Sequence, residues 1–469
     1  MHVSSLFGDY STGSFGNNAR YFIDFLKDCG FTIWQVLPFN MVDEHNSPYK
    51  SHSSFSGNPY FVDLEILCSK GLITKDELCD AKQLAPWLCE FDRLSKERFE
   101  LLKRAALRVN EAEKKEIAKF IKKSPYIASF CRFMALKDVN NGLAWLDWTC
   151  SKPDKETLFA WQFIQYEFFS QWAEIKRYAN DNGIMIIGDI PIYASHDSSD
   201  VWSEQKYFLL DKDGRPTHVA GVPPDYFCED GQLWGNPLYN WSEMKKDGYK
   251  WWCDRIKHMS LLFDGVRIDH FRGIESYWAV PATAKTAKDG KWVKGPGIPL
   301  IKAIKDAAKN TLIIAEDLGD ITPAVDKLVK TSGFPGMRVF QFGFLSDAES
   351  THMPHNYISN CIAYTGTHDN NTLLGYLWEL DDISRERMLS YCGHTGDWKN
   401  GCKSIIKTML ASHADTVIMP IQDILGFGAD TRINTPGKAE GNWAYRVTKE
   451  QIDSIDRDYF KKLNSLYFR

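Results

Sequence analysis

Short apolar runs rich in β-branched residues recur along the chain at residues 32–37, 184–190, 263–269, 311–316, 337–342, 361–365 and 416–421. Helical periodicity fills most of the intervals, most clearly at residues 17–29, 249–262, 299–309, 323–331 and 402–414. A strand covered by helices on one side and packed on the other reads as a continuous apolar run rather than an alternating one. Strands alternating with helices predict a parallel sheet. A further strand at the extreme N-terminus brings the count to eight, so the fold expected is a (β/α)8 barrel spanning residues 1–469. Two stretches break the rhythm. Residues 66–180 are dominated by helical periodicity and surface charge, and read as a mainly helical insertion. Residues 192–240 are rich in Gly, Pro, Asp and aromatics, and read as a long loop at a strand tip, where it would roof an active site.

Three of the runs lead into a carboxylate: FDGVRID closes on Asp269, LIIAE on Glu316, and CIAYTGTHD on Asp369. Acids at the tips of buried parallel strands converge on one face of a barrel, which is where barrels place their chemistry. Paired carboxylates without a metal-ligand cluster or phosphate loop are the equipment of glycoside chemistry, one acting as nucleophile and one as proton donor. Arg267 and Asp269 lie two apart on a strand and share a face, so the cation would hold Asp269 ionised; the alternative is a buried structural ion pair. His270 adds a donor beside it. Glu316 follows an apolar run that would raise its pKa toward the range of a general acid. Its neighbour Asp317 points to the opposite face, and alternation alone does not say which of the two faces inward. Asp369 sits among His368, Asn370, Asn371 and Thr372, where Asp369 or Asn370 could instead cap a helix beginning near Thr372. Asp189, near the end of IMIIGDI, carries the same ambiguity between a site role and a turn or cap.

Other chemistries find less support. There is no HExxH, no Cys/His ligand spacing, no GxSxG elbow, no GxGxxG fingerprint and no Walker loop, so neither a metal nor a cofactor is expected; GFGAD at residues 426–430 is only a turn signal. The net charge of -5 lacks the basic footprint of a nucleic-acid or anionic-membrane partner. Aromatic residues make up 14% of the chain, with 16 Trp and 20 Tyr. Their faces suit the apolar C–H faces of sugar rings, although core filling accounts for most aromatics in any large protein. The 11 Cys are scattered without a CxxC pair, and there is neither a signal-peptide pattern nor an apolar stretch of membrane-spanning length, so a cytoplasmic location is expected.

With these residues in view, the chain closely resembles the 4-α-glucanotransferases, or amylomaltases, of glycoside hydrolase family 77. The motifs that carry the resemblance run nearly end to end: WQVLPF, SPYKSHSSFSGNPYFVDL, GDIPIY, GVPPDYF followed by GQLWGNPLY, DGVRIDHFRG, IIAEDLG, YTGTHDNNT and GNWAYR. DGVRIDH or IAED alone would indicate only the α-amylase clan; SPY with PPDYF and GQLWGNPLY narrows it. The resemblance implies that Asp269 is the nucleophile, Glu316 the acid/base and Asp369 the transition-state stabiliser. It also implies that Arg267, His270 and His368 bind the donor sugar, and that Tyr49, Asp189 and Asn442 make further substrate contacts. Phe227, Gln232 and Trp234 would lie in a loop covering the cleft. The implied reaction is retaining transfer between maltooligosaccharides or other α-1,4-glucans. Two departures stand out. The family's first strand begins several residues upstream of SSL, whereas this chain opens at Met1, so that strand is expected to be short; and Lys50 replaces the Gln that often follows SPY. The competing expectations are a glucan hydrolase of the α-amylase clan, with the same three carboxylates, or a glucan-binding protein impaired by the shortened strand.

Overall fold

The computed structural model describes residues 1–224, 229–345 and 349–469. Its strands, in chain order, are β1 (Ile33–Gln35), β2 (Met185–Ile190), β3 (His218–Val222), β4 (Gln232–Pro237), β5 (Gly265–Ile268), β6 (Ser276–Pro281), β7 (Lys291–Lys294), β8 (Leu312–Ala315), β9 (Gly336–Val339), β10 (Cys361–Tyr364) and β11 (Thr416–Ile418). Seven of them form a parallel sheet in the order β1-β2-β5-β8-β9-β10-β11, curled into a nearly closed barrel. Helices Asn17–Asp28, Lys155–Asp181, Lys250–Leu262, Ile298–Ala308, Pro323–Ser332 and Cys402–Leu410 alternate with these strands, giving the barrel of the (β/α)8 class.

The strands sort their side chains by the two-residue period. Ile187, Ile314, Met337, Val339, Ile362 and Tyr364 form a separate apolar cluster inside the barrel. Ile186, Val266, Ile268, Ile313, Ala315 and Ala363, their odd-and-even neighbours, join the larger core beneath the helices. The 27-residue helix Lys155–Asp181 is anchored through Trp172, whose ring meets Phe39 at 4.6 Å and Phe15 at 5.0 Å, and whose indole N–H donates to the Leu262 carbonyl at 3.0 Å.

Two expectations need correction. No strand forms at the N-terminus: Val3–Ser5 is a 3-10 turn, because the Ser5 and Leu6 amides donate to the carbonyls of His2 and Val3 at 3.1 and 3.0 Å rather than to a neighbouring strand. Met1 and His2 lie alongside β1 instead, with the Met1 amino group donating to the Gln35 carbonyl at 3.3 Å and the Leu37 amide donating to His2 Nδ1 at 3.2 Å. A seam therefore runs between β1 and β11, lined by Ile33, Gln35, Val417, Ile418 and Met1. The second correction concerns residues 192–240, which are not loop throughout. They supply β3 and β4 to an antiparallel sheet ordered β4-β3-β6-β7. Gly221 and Gly235, a register shift between Val219 and Gly221, and Pro237 break the alternation that would have revealed these strands.

Candidate active site

Strand register assembles the site. Asp189 on β2 pairs with Arg267 on β5, and Arg267 pairs with Ile314 on β8, so one step further along the strands Asp269 and Glu316 stand side by side at the strand tips. The Glu316 amide donates to the Ile268 carbonyl at 3.2 Å, which extends that register past the last paired residues. All four polar side chains follow the inward parity of Ile187 and Ile314.

Arg267 is the hub. It donates from Nη1 to both oxygens of Asp189, at 2.8 and 2.7 Å, and from Nη2 to Asp269 Oδ1 at 2.9 Å. Burial works against its charge, but the carboxylates of Asp189 and Asp269 outweigh that cost and hold the guanidinium well above its ordinary pKa. The cap or turn role weighed for Asp189 is thus replaced by a buried bidentate ion pair, to which Tyr49 adds a hydroxyl donor at 2.7 Å. Glu316 is buried and accepts the His270 amide at 2.6 Å and the Leu318 amide at 2.8 Å. Burial pushes its carboxyl up to about 7, with Arg267 and the two amides opposing and the charge of Asp269 adding to the rise. Asp317 points the other way, accepting the Met337 amide at 2.6 Å and pairing with Arg338 at 3.1 Å. The two neighbouring acids divide into one that faces the cleft and one that braces the barrel wall.

His270 adopts a left-handed backbone, φ 48°, and packs edge-on against Trp234 with ring centres 4.8 Å apart. Burial holds its imidazole down near 4, so the ring is neutral at physiological pH. Trp234 also donates its indole N–H to Gln232 at 3.1 Å, which draws both residues of GQLW to the same rim. Phe227, the third residue assigned to that loop, lies outside the described residues. On the opposite rim His368 stacks on Tyr49, centres 5.0 Å apart and 19° from coplanar, with Trp443 at 5.9 Å. Trp443 has φ 67°, an unusual conformation for a bulky residue and one that clusters at functional sites.

Asp369 does not cap the following helix. Thr372 does so, accepting the Gly375 amide at 3.1 Å, while Asn370 accepts the Thr367 amide at 2.9 Å. The Asp369 carboxylate is half-exposed, lies 3.4 Å from His368 Nε2, and accepts Asn434 Nδ2 at 2.6 Å. Asn442 turns its side chain onto its own loop, accepting the Thr435 amide at 2.8 Å and donating to the Lys438 carbonyl at 2.8 Å. Sequence reasoning missed Asn434, Arg432 and Trp443 as members of the site; only the position of Trp443 inside GNWAYR gave a signal.

This geometry, with the Arg267-bound carboxylate of Asp269 beside a carboxyl raised to about 7 at the strand tips, can be set beside known proteins. The family model described as 4-alpha-glucanotransferase matches residues 1–451. The chain belongs to that family. A 4-alpha-glucanotransferase of Clostridium butyricum is 41% identical over the full length of both chains. One from Aquifex aeolicus is 39% identical, covering 100% of this chain and 98% of its own. The amylomaltase from Streptococcus agalactiae in complex with acarbose superimposes with TM-score 0.96 at 35% identity, covering 100% of this chain and 98% of that one. An amylomaltase from Corynebacterium glutamicum, 16% identical, shares the fold at TM-score 0.81 over 99% of this chain and 74% of its own.

Proposed function

We propose that the chain is a 4-α-glucanotransferase that moves α-1,4-glucan segments between maltooligosaccharides by retaining double displacement. The observation that carries the mechanism is the register of Asp269 beside Glu316 on adjacent strands. Neighbouring strands are about 4.8 Å apart, and a retaining pair of carboxyl groups requires about 5–5.5 Å. Arg267 holds Asp269 Oδ1, which leaves Oδ2 to attack the anomeric carbon. As the glycosidic bond breaks, Glu316 gives its proton to the departing oxygen; its raised pKa keeps a large protonated fraction near pH 7. The covalent glycosyl-enzyme is then attacked by the 4-hydroxyl of an acceptor glucan, whose proton passes to Glu316, restoring both groups.

Asp369 and His368 contact the hydroxyls of the donor ring, with Tyr49 stacked behind His368. Trp234 and Gln232 favour a sugar acceptor over water by covering the cleft, a role supported for Trp234 by its packing on His270. Asn442 contributes to substrate binding through the loop it staples. The chain is organised as one barrel with a mainly helical insertion at residues 66–180 and an active-site insertion at 192–240. A cytoplasmic location is supported by the free state of buried thiols such as Cys29, Cys131 and Cys402. Incubation with pure maltotriose tests the activity. Glucose together with a ladder of longer maltooligosaccharides is the expected result; glucose and maltose without elongation would indicate a hydrolase, and binding without turnover a retired barrel.

A further inference from the structure

Asp369 differs from the other two acids in how it is held. Glu316 is buried against two backbone amides and Asp269 is gripped by Arg267, whereas the side chain of Asp369 is 50% exposed and lies in the loop between β10 and the helix Leu373–Glu379. Its own loop gives its amide one long bond, 3.3 Å to Thr367 Oγ1. The shorter contacts come from a different part of the chain. Asn434 Nδ2 donates to Asp369 Oδ1 at 2.6 Å, and Arg432 Nη2 donates to the Asp369 carbonyl at 2.5 Å. Arg432 Nε in turn donates to the Asn434 carbonyl at 2.7 Å, so one guanidinium bridges the backbone of both residues.

The segment that carries this pair is itself stapled. Gln422 donates to the Thr431 carbonyl at 3.0 Å, the Trp443 amide to the Ile433 carbonyl at 2.6 Å, and the Thr435 amide to Asn442 Oδ1 at 2.8 Å. The Cys89 amide binds the Ala444 carbonyl at 2.7 Å, tying the segment to the insertion between β1 and β2. A half-exposed carboxylate on a loop samples several rotamers unless something fixes it, and a charge that must meet a sugar hydroxyl in the transition state is effective only when preorganised.

We infer that Asn434 is a positioning residue for the transfer reaction: with Arg432 it clamps Asp369 Oδ1 and the Asp369 carbonyl, so that the remaining carboxylate oxygen is aimed at the donor sugar. The inference rests on the proposed role of Asp369, and it makes the C-terminal loop part of the catalytic apparatus without touching substrate. Asn442 acts one step further back, by shaping the turn from which Asn434 projects.

The test is a double-mutant cycle between Asn434→Ala and Asp369→Asn, read as kcat and KM for maltotriose and, where rates are low, as release of fluoride from α-maltosyl fluoride at high enzyme concentration. Melting temperatures monitor folding in parallel. The expected result is a kcat about 10- to 100-fold lower in Asn434→Ala with KM changed less than about 3-fold, and no further loss when Asn434→Ala is added to Asp369→Asn. Asn434→Asp, which replaces the donor with a like charge, is expected to be slower than Asn434→Ala, and Asn434→Gln to recover part of the rate. A kcat within twofold of the parent, or losses that multiply in the double variant, overturns the clamp. If Asp369→Asn alone leaves kcat intact, the role given to Asp369 fails instead.

Discussion

At Arg267 one side chain does three jobs: it pairs with the buried Asp189, holds Asp269 Oδ1, and moderates the rise of Glu316. Replacing it by Met leaves Asp189, 2% exposed, as an uncompensated buried carboxylate. The expected loss is about 3–5 kcal/mol in denaturant unfolding, together with loss of transfer activity; an Arg267→Met protein as stable as the parent would show that Asp189 is not ionised. Glu316 makes a pH prediction. Its folded pKa of about 7 lies above the ordinary 4.5, so the folded state holds the proton more tightly than the unfolded one. Its contribution to stability is therefore full below about pH 4.5 and is lost as pH rises through 7. Glu316→Gln should gain on the parent by at most about 3 kcal/mol across that window, while kcat/KM of the parent falls above pH 7 as the acid deprotonates. A flat stability difference from pH 4.5 to 8 would mean that Glu316 is not raised. Much of this was legible in the chain. The two-residue spacing of Arg267 and Asp269 put them on one face, and the apolar run before Glu316 foretold its environment. The choice of Glu316 over Asp317, and of Thr372 over Asp369 as helix cap, depended on which strand face turns inward and where the helix begins, both set by tertiary packing. Asn434 gave no signal, because its importance comes from a contact with a residue 65 positions away.

Among the elements, β10 and the helix that follows it are locked together by Asp423, which accepts the Thr365 hydroxyl at 2.6 Å and the Leu373 amide at 2.7 Å. Burial pushes its carboxyl up to about 6. These two bonds bracket the loop that carries His368 and Asp369, so Asp423→Ala should cost about 2 kcal/mol or more through two stranded buried donors and lower kcat as well. Unchanged stability would show that the loop is held by other contacts. Parallel strands and their helices were readable because runs such as those of β2, β5 and β10 are almost wholly buried, whereas β3 and β4 escaped notice: HVAGV and QLWGNP mix glycine, proline and polar residues in a small sheet of which β4 is an edge.

On the scale of the whole molecule, the barrel is closed by side chains where a strand was expected. Tyr364 donates to Gln35 Oε1 at 3.0 Å across the interior, and the buried Met1 amino group, pushed down to about 5 by burial, occupies the head of the seam. Backbone amides of β1 and β11, each paired on one side, should exchange with deuterium faster than those of β5 and β8, which are paired on both; equal protection around the barrel would contradict an open seam. The chain's periodicity could not disclose this, since the three residues of the 3-10 turn at Val3–Ser5 are too few to show a period and are as buried as a strand would be. Retaining transfer turns on the covalent step. The most direct measurement is peptide mass spectrometry of Glu316→Gln after incubation with α-maltosyl fluoride, a donor whose leaving group needs no acid. A maltosyl adduct on the peptide bearing Asp269, absent in Glu316→Gln/Asp269→Asn, is the predicted result; an adduct on another residue, or turnover of the fluoride with inversion and no adduct, would contradict it.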